Sequence, residues 1–286
     1  MTNHLIHRLD FGSVRVDAAM LVRGRAPGTQ VEVPAQGYLI TGDHPPVLVD
    51  AGYRDLTVLG NGGTVTPEQG FAAQLDRWGV TPEELAYVVP THLHRDHAGH
   101  LDRVPMSVPV VVNRAELECA FSGIQGLAYA RDDLLHVVQR LYTPGALQVL
   151  DLRPAVPVKL QPGISVVASG GHTCGSVNVL VTTAEGTAAL IGDLLYDLEG
   201  SLSEHPVGTA SAGVQSYAFS SHEPATTNNF TPSVADELAA IKAVLGHRFL
   251  LPAHDRPGVL EAGRLMGRID GPTVPGPATP LAAPAS

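Results

Sequence analysis

Three features of the sequence predict an α/β fold. Strand-like and helix-like segments alternate from residue 35 to residue 255. Apolar residues make up 44% of the 286 and charged residues 16%, which suffices for a large core and excludes global disorder. Polar, metal-capable residues (Asp50, His92, His172, Asp193 and His254) stand just beyond the ends of apolar strands, where a rigid sheet presents chemistry on its loops.

Taken in chain order, AQGYLIT and VLVD read as two strands around the turn GDHPP, closing at Asp50 and Gly52. Thr66-Pro67-Glu68-Gln69 starts a helix: Thr66 caps, Pro67 suits the first position and Gln69 reaches back. Phe71, Leu75 and Trp78 then recur at helical spacing. Thr81-Pro82-Glu83-Glu84 repeats the cap signature, and AYVVP (86–90) is a buried strand that runs into THLHRDHAGH. SVPVVV (107–112) is a further strand, and residues 114–142 read as largely helical, interrupted by SGIQG. ISVVAS (164–169) and VNVLVTT (177–183) are strands flanking GGHTCGS, and TAALIGD (187–193) is a strand ending in an acid. PSVADELAAIKAVLGH places Val234, Leu238, Ile241 and Leu245 on one helical face and stops at Gly246. RFLLPAHD (248–255) is a last strand leading to His254. Residues 271–286 hold five Pro and no charge, so a flexible tail is expected there, after a domain spanning 1–270.

Composition narrows the function. Lys and Arg total 18 against 28 Asp and Glu, a net charge of −10. No basic cluster is present, which argues against nucleic acid and against an anionic membrane surface as partners. Two cysteines, Cys119 and Cys174, make no disulfide framework of the secreted kind. The start, MTNHLIHRLDFGSVRVD, lacks the apolar stretch of a signal peptide. No apolar run reaches the ~18 residues that span a bilayer, so a cytoplasmic protein is expected. Histidine stands out, with 13 against two lysines.

The motif His92-Leu93-His94-Arg95-Asp96-His97 concentrates three imidazoles and a carboxylate in six residues. On an extended loop His92 and His94 point the same way. Asp96 and His97 follow as the chain turns toward a helix, and address a different point. Neutral imidazole and carboxylate suit zinc and other borderline first-row metals.

Here the sequence resembles the metallo-β-lactamase superfamily. THLHRDHAGH is similar to its signature, GGHTCGS to its second His motif, LIGDLLYD to its metal-bridging Asp motif and LPAHD to its final His motif. The resemblance runs from about Tyr38 to about Asp255. It implies a four-layer αββα sandwich of two similar halves, a hydrolase domain over residues 1–270. It also implies two divalent cations, zinc before iron, manganese or cobalt. His92, His94 and His172 would hold the first. Asp96, His97 and His254 would hold the second, and Asp193 would bridge them. Asp50 resembles the family's structural acid, which fixes the ligand loop without touching metal. The chemistry implied is attack by a hydroxide held between the cations on an ester, thioester, lactone, lactam or phosphoester.

Among the branches of the superfamily, the quorum-quenching N-acyl homoserine lactonases carry a Tyr three residues after the bridging Asp. Asp193-Leu194-Leu195-Tyr196 has that spacing, and GYLITGDHPPVLVDAGY is also similar. Asp96 and Tyr196 are therefore the implied catalytic residues, the phenol facing the carbonyl or ring oxygen of a small lactone. The alternatives are hydrolysis of another ester, thioester or lactam, or a non-catalytic metal-sensing module. Departures from the family pattern are Cys174 and Ser176, where Pro and His are common, and Arg95, where an apolar residue is common. Cys174, two residues from His172, reads as a small apolar filler before a soft extra contact to the metal. Residues 197–231, with Tyr217, Phe219 and Phe230, read as a substrate-pocket or dimer-contact loop, which leaves a homodimer open. Phe121, Ile124, Leu127 and Tyr129 read as an acyl pocket or as core. His100, His205 and His222 read as hydrogen-bonded or solvated.

Overall fold

A computed structural model describes residues 3–21, 27–56, 63–123, 128–202 and 234–281. In the first half, β1 (Leu5–Asp17) connects through α1 (Ala18–Leu21) to its antiparallel partner β2 (Gln30–Thr41), and β3 (Val47–Val49) returns against β2. The strands β4 (Tyr87–Val89), β5 (Val110–Asn113) and β6 (Leu147–Leu150) then add in parallel. Parallel neighbours require crossovers. These carry α2 (Phe71–Asp76), α3 (Arg95–Ala98), α4 (Arg114–Phe121) and α5 (Arg131–Leu141).

In the second half, β7 (Val158–Gln161), β8 (Ile164–Ala168), β9 (Val177–Thr183) and β10 (Gly186–Gly192) form an antiparallel meander. The connection bearing α6 (Leu198–Leu202) and α7 (Val234–Val244) leads to β11 (Phe249–Pro252), parallel to β10. Next, β12 (Gly258–Glu261) and β13 (Arg264–Ile269) continue antiparallel. The two strands β14 (Thr273–Val274) and β15 (Ala278–Pro280) pair with β1 and β13. The sheet orders are β14-β1-β2-β3-β4-β5-β6 and β15-β13-β12-β11-β10-β9-β8-β7.

Alternation along the strands makes the layers. Leu39, Leu48, Val88 and Val110 share a core with Phe71, Leu75, Ala120 and Val137 of the first-half helices. Their neighbours Tyr38, Ile40, Val47, Val49, Val89 and Val111 turn the other way, against Val166, Val179, Ala188, Leu190, Phe249 and Leu251 of the second sheet. Ala189, Ile191 and Leu250 face outward again, onto Leu198, Ala240, Ile241 and Val244. Side chains of period two on both sheets, each face covered, give the four-layer αββα sandwich. Among the described residues no helix is long and apolar enough to cross a membrane.

The expectations differ from the structure in four places. Thr66 and Thr81 do start capping boxes, but each closes a single 3₁₀ turn, because Gly70 and Leu85 are extended and break the helix. The sheet-facing side of α7 is Glu237, Ala240, Ile241 and Val244, with Leu238 and Leu245 half-buried at its edges. Small Ala240 sits at the close approach because a Cβ on Gly171 would lie 2.7 Å from its own. The strand β1 lies outside the strands expected from the sequence; it buries Ile6, Leu9, Phe11 and Val14, and a bulge between Asp10 and Ser13 breaks its alternation. Finally, the expected flexible tail from residue 271 is corrected up to residue 281. Val274 is buried between the sheets, and backbone pairing orders β14 and β15 without charge or a large apolar contribution.

Candidate metal centre

The site is built at the ends of β4, β8, β10 and β11. After β4 the chain bends at Thr91 and His92, and His94 is extended just before α3. Leu93, fully buried, points into the helix-covered core, so His92 and His94 point to the opposite side. The turn into α3 then brings round Asp96 and His97, both buried. Asp50 stands at the end of β3 in a left-handed conformation, φ 60°. Its carboxylate accepts from the Thr91 N–H at 2.6 Å and from the Thr91 hydroxyl at 3.0 Å. It also lies 3.0 Å from His97 Nδ1, which directs His97 Nε2 inward.

The second half supplies the remainder. The loop carrying His172 is tied to the first half by the Val177 N–H, which donates to the Thr91 carbonyl at 2.8 Å. Gly192 precedes Asp193 with φ 53°, and a Cβ there would lie 2.4 Å from Thr91 Oγ1. Only glycine permits both the turn and the approach. His254 donates from Nδ1 to the Pro34 carbonyl at 2.7 Å, leaving Nε2 for the site.

Two donor groups result: His92, His94 and His172, and Asp96, His97, Asp193 and His254, all buried. In the first, His94 Nδ1 lies 2.9 Å from His92 Nε2 and 3.2 Å from His172 Nε2. In the second, Asp193 Oδ1 lies 3.0 Å from His97 Nε2 and 3.3 Å from His254 Nε2, and Asp96 Oδ2 lies 3.0 Å from His254 Nε2. The other Asp193 oxygen, Oδ2, turns to the first group, 3.6 Å from His172 Nε2 and 3.9 Å from His92 Nε2. Asp193 thus spans the two groups, one oxygen to each. Donors sharing one tetrahedral ion with bonds of about 2.1 Å sit about 3.4 Å apart, close to these separations. His97 Nε2 is buried and makes no well-aligned hydrogen bond despite its acidic neighbours, as befits a nitrogen aimed at an ion. The residues fit a dinuclear divalent metal site.

The electrostatics of the chain without ions agree. Burial pushes His92 well down, the neighbouring imidazoles adding to it, and pushes His172 down to about 3. Burial alone would raise Asp96 and Asp193, but His97 and His254 outweigh it and hold both well below the usual carboxylate range. Conversely, the acids overcome burial at His97, raised well above its ordinary value, and at His254, raised to about 10. The acids favour the protonated forms of His97 and His254 in the ion-free chain, and metal binding to such a site releases protons.

The family model described as the metallo-beta-lactamase superfamily matches residues 31–226. The chain belongs to the metallo-β-lactamase superfamily. Within it, the chain is 27% identical over 219 residues to an N-acyl homoserine lactonase of a Bacillus species, covering 72% of this chain and 82% of that one. It is 27% identical over 213 residues to the N-acyl homoserine lactonase AttM of Azorhizobium caulinodans, covering 70% and 79%. A solved N-acyl homoserine lactone hydrolase with N-hexanoyl-L-homoserine bound at its catalytic metal center has the same fold. Its TM-score is 0.67 at 22% identity, over 89% of this chain and 94% of that chain. AidC, a dizinc quorum-quenching lactonase, superposes with a TM-score of 0.60 at 13% identity, over 99% and 96%.

Against this metallo-β-lactamase frame, Tyr196 is buried, and its hydroxyl donates to Asp193 Oδ2 at 2.6 Å. Its ring stacks on His254 at 5.3 Å. Of the other expected residues, Cys174 is exposed and its thiol points to the Ala115 carbonyl at 3.6 Å, outside both donor groups and not an apolar filler. Arg95 opens α3, its N–H donating to the Ala128 carbonyl. His100 donates to the Ala51 carbonyl at 2.7 Å and stacks on Phe71, away from the donors. Phe121 is 51% exposed at the end of α4 and is not part of the core. Tyr129 is buried with its ring 4.7 Å from that of His94. Ile124, Leu127, His205, Tyr217, Phe219, His222 and Phe230 lie outside the described residues.

Three contributors escaped sequence reading. Thr91 links Asp50 to the ligand loop, as above. Tyr53 packs against the cluster that holds Tyr196, and burial, with Asp96 and Asp193 nearby, holds its phenol well above its ordinary value. Glu116 is 1% exposed in α4, and burial pushes its carboxyl up to about 7 against the hydrogen bonds of Thr173, Leu93 and Tyr129. The sequence carries no local signal for Glu116, since an acid in a helix's first turn is ordinarily solvated.

Proposed function

We propose that this chain is a dinuclear metal-dependent lactonase that opens the ring of N-acyl homoserine lactones or similar small lactones. The observation that carries the reading is the Tyr196 phenol, held at 2.6 Å by the one carboxylate that spans both donor groups. The named lactonase relatives support it.

Two divalent cations at these groups, zinc in the first instance, would supply water made acidic enough to attack at neutral pH and would offset charge on a carbonyl oxygen. The chain's own residues do the rest. Asp50, Thr91 and Pro34 fix the ring orientations of His97, His92 and His254 through the nitrogen each turns away from the site. Asp96, kept ionised, is an acceptor for the proton of the attacking water. Tyr196 Oη holds a proton at the rim of the donor set, and offers it to the carbonyl or ring oxygen as charge develops there. Its ring packs with Val14, Leu21, Val33 and Leu56 and with Tyr53, which excludes water from that side. The net charge of −10 disfavours RNA and other polyanionic phosphodiesters as substrates.

The test is direct. Protein loaded with zinc is assayed by pH-stat on N-hexanoyl and N-decanoyl homoserine lactone, on a thioester and on a phosphodiester. Lactones should turn over fastest. Thioester or phosphodiester turnover above that of every lactone tried would sink the assignment.

A further inference from the structure

We infer that Glu116 is a positioning residue that clamps together the two loops supplying the three-histidine donor group. This deepens the dinuclear reading and rests on it. Glu116 makes no hydrogen bond to the ligand histidines. Its carboxylate accepts from the residue between His92 and His94, the Leu93 N–H donating to Oε1 at 2.8 Å. It accepts from the residue after His172, the Thr173 hydroxyl donating to Oε2 at 2.5 Å. It also accepts from the Tyr129 hydroxyl at 3.0 Å on Oε1, and the Tyr129 ring stands edge-on to His94. Every member is buried, Thr173 and Leu93 fully and Glu116 at 1% exposure. One side chain from the first half thus fixes the backbone beside His92, His94 and His172, although those histidines come from opposite halves of the sandwich.

The seat of the clamp is equally specific. A Cβ on Gly175 would lie 2.0 Å from the Glu116 N and 2.2 Å from its Cα, so the His172 loop rests directly on the backbone of α4. The Asn113 amide donates to the Gly175 carbonyl at 3.1 Å and holds it there. Three donors converge on two carboxylate oxygens. An amide in place of the carboxylate offers one acceptor oxygen, and its NH₂ would meet the Thr173 hydroxyl, which would have to reverse from donor to acceptor; only the carboxylate accepts from all three as they stand. The second group's loops are fixed by other residues: Asp50, the Pro34 carbonyl, and the Gln36 amide, which donates to the Ala253 and Asp255 carbonyls on either side of His254. The clamp therefore acts on one of the two donor groups.

That selectivity is the test. Wild type, Glu116→Gln, Thr173→Val and Tyr129→Phe are loaded with Co²⁺ and titrated with a competing chelator while the visible spectrum is followed. Wild type should hold two ions. Glu116→Gln should weaken one of them about 10- to 100-fold, the size of effect known for outer partners of metal ligands, change the spectrum of that ion and leave the other as it was. Thr173→Val and Tyr129→Phe should shift the same ion by less, and they carry the test alone if Glu116→Gln does not fold. The double variant of Glu116→Gln with Thr173→Val should lose less than the two singles summed. Two ions in wild type with both unchanged in the variants, or both weakened equally, would overturn the clamp and leave the dinuclear reading standing. A wild type that holds fewer than two ions would overturn the dinuclear reading itself, and the clamp with it.

Discussion

Replacing Tyr196 by Phe separates the phenol's chemistry from its packing. The ring is 5% exposed, stacks on His254 with an interplanar angle of 10° and sits among Val14, Leu21, Val33 and Leu56. Phe keeps all of that. What is lost is a single hydroxyl that donates to Asp193 Oδ2 at 2.6 Å. In stability this costs about 1 kcal/mol, the net value of one hydrogen bond, because the carboxylate keeps its other partners. In catalysis a positioned donor to a developing oxyanion is worth on the order of 10²–10³ in rate. Here divalent cations would share that charge, so about tenfold or somewhat more is expected in kcat. The assay is hydrolysis of N-hexanoyl homoserine lactone at saturating and limiting concentrations, with metal content by elemental analysis and Tm measured on the same preparations. Metal content should be unchanged, Tm lowered by a few degrees at most, and kcat reduced. Wild-type kcat and KM in a fully metal-loaded variant would refute the reasoning and reduce Tyr196 to a packing residue.

Other substitutions probe the rest of the frame. Asp193→Ala removes the carboxylate that spans both donor groups, and elemental analysis should find fewer than two ions per chain with most lactone turnover gone; two tightly held ions would contradict the bridging role. Asp50→Asn leaves the shape but loses the charge facing His97 Nδ1 at 3.0 Å, and should weaken metal binding by about 10- to 100-fold, read by chelator competition. Gly175→Ala places a methyl 2.0 Å from the backbone N of Glu116; since backbone cannot swing aside, urea unfolding should show a loss of roughly 3 kcal/mol or more, and an unchanged midpoint would be wrong for this geometry. His7 is buried, stacked on Trp78 at 3.9 Å, and burial pushes it down to about 4. With an unfolded value near 6.5, the unfolded chain takes up the proton first, so the stability it contributes is complete above about pH 6.5 and is lost as pH falls toward 4. The shift corresponds to about 3 kcal/mol at most, and to about 1–2 after allowing for partial solvent access. His7→Gln should flatten that part of the acid limb of stability against pH, and an identical slope in wild type and variant would remove the assignment.

Local chemistry was legible in the chain alone. The His92–His97 motif is a contiguous six-residue pattern, so its alternation and turn place four donors without reference to the rest of the fold. The strands around it were readable because their apolar runs are short and bounded. Asp50, His172, Asp193, Tyr196 and His254 were identifiable only through the order of motifs in a family, since nothing in their own neighbourhoods says that they meet. What the tertiary structure decided lies in contacts between segments far apart in sequence. Glu116 and Thr173 are 57 residues apart and hydrogen-bond at 2.5 Å, because Gly175 lets one loop rest on the backbone of α4. The buried face of α7 was set by where Gly171, in the loop after β8, leaves room for Ala240, not by its most apolar stripe. Val274 and its neighbours became strands because the edges of two sheets offered unpaired backbone groups. A sequence carries its side-chain chemistry on its face. Burial and partnership belong to the packed backbone, and they turned an ordinary helical glutamate into the link between two histidine loops.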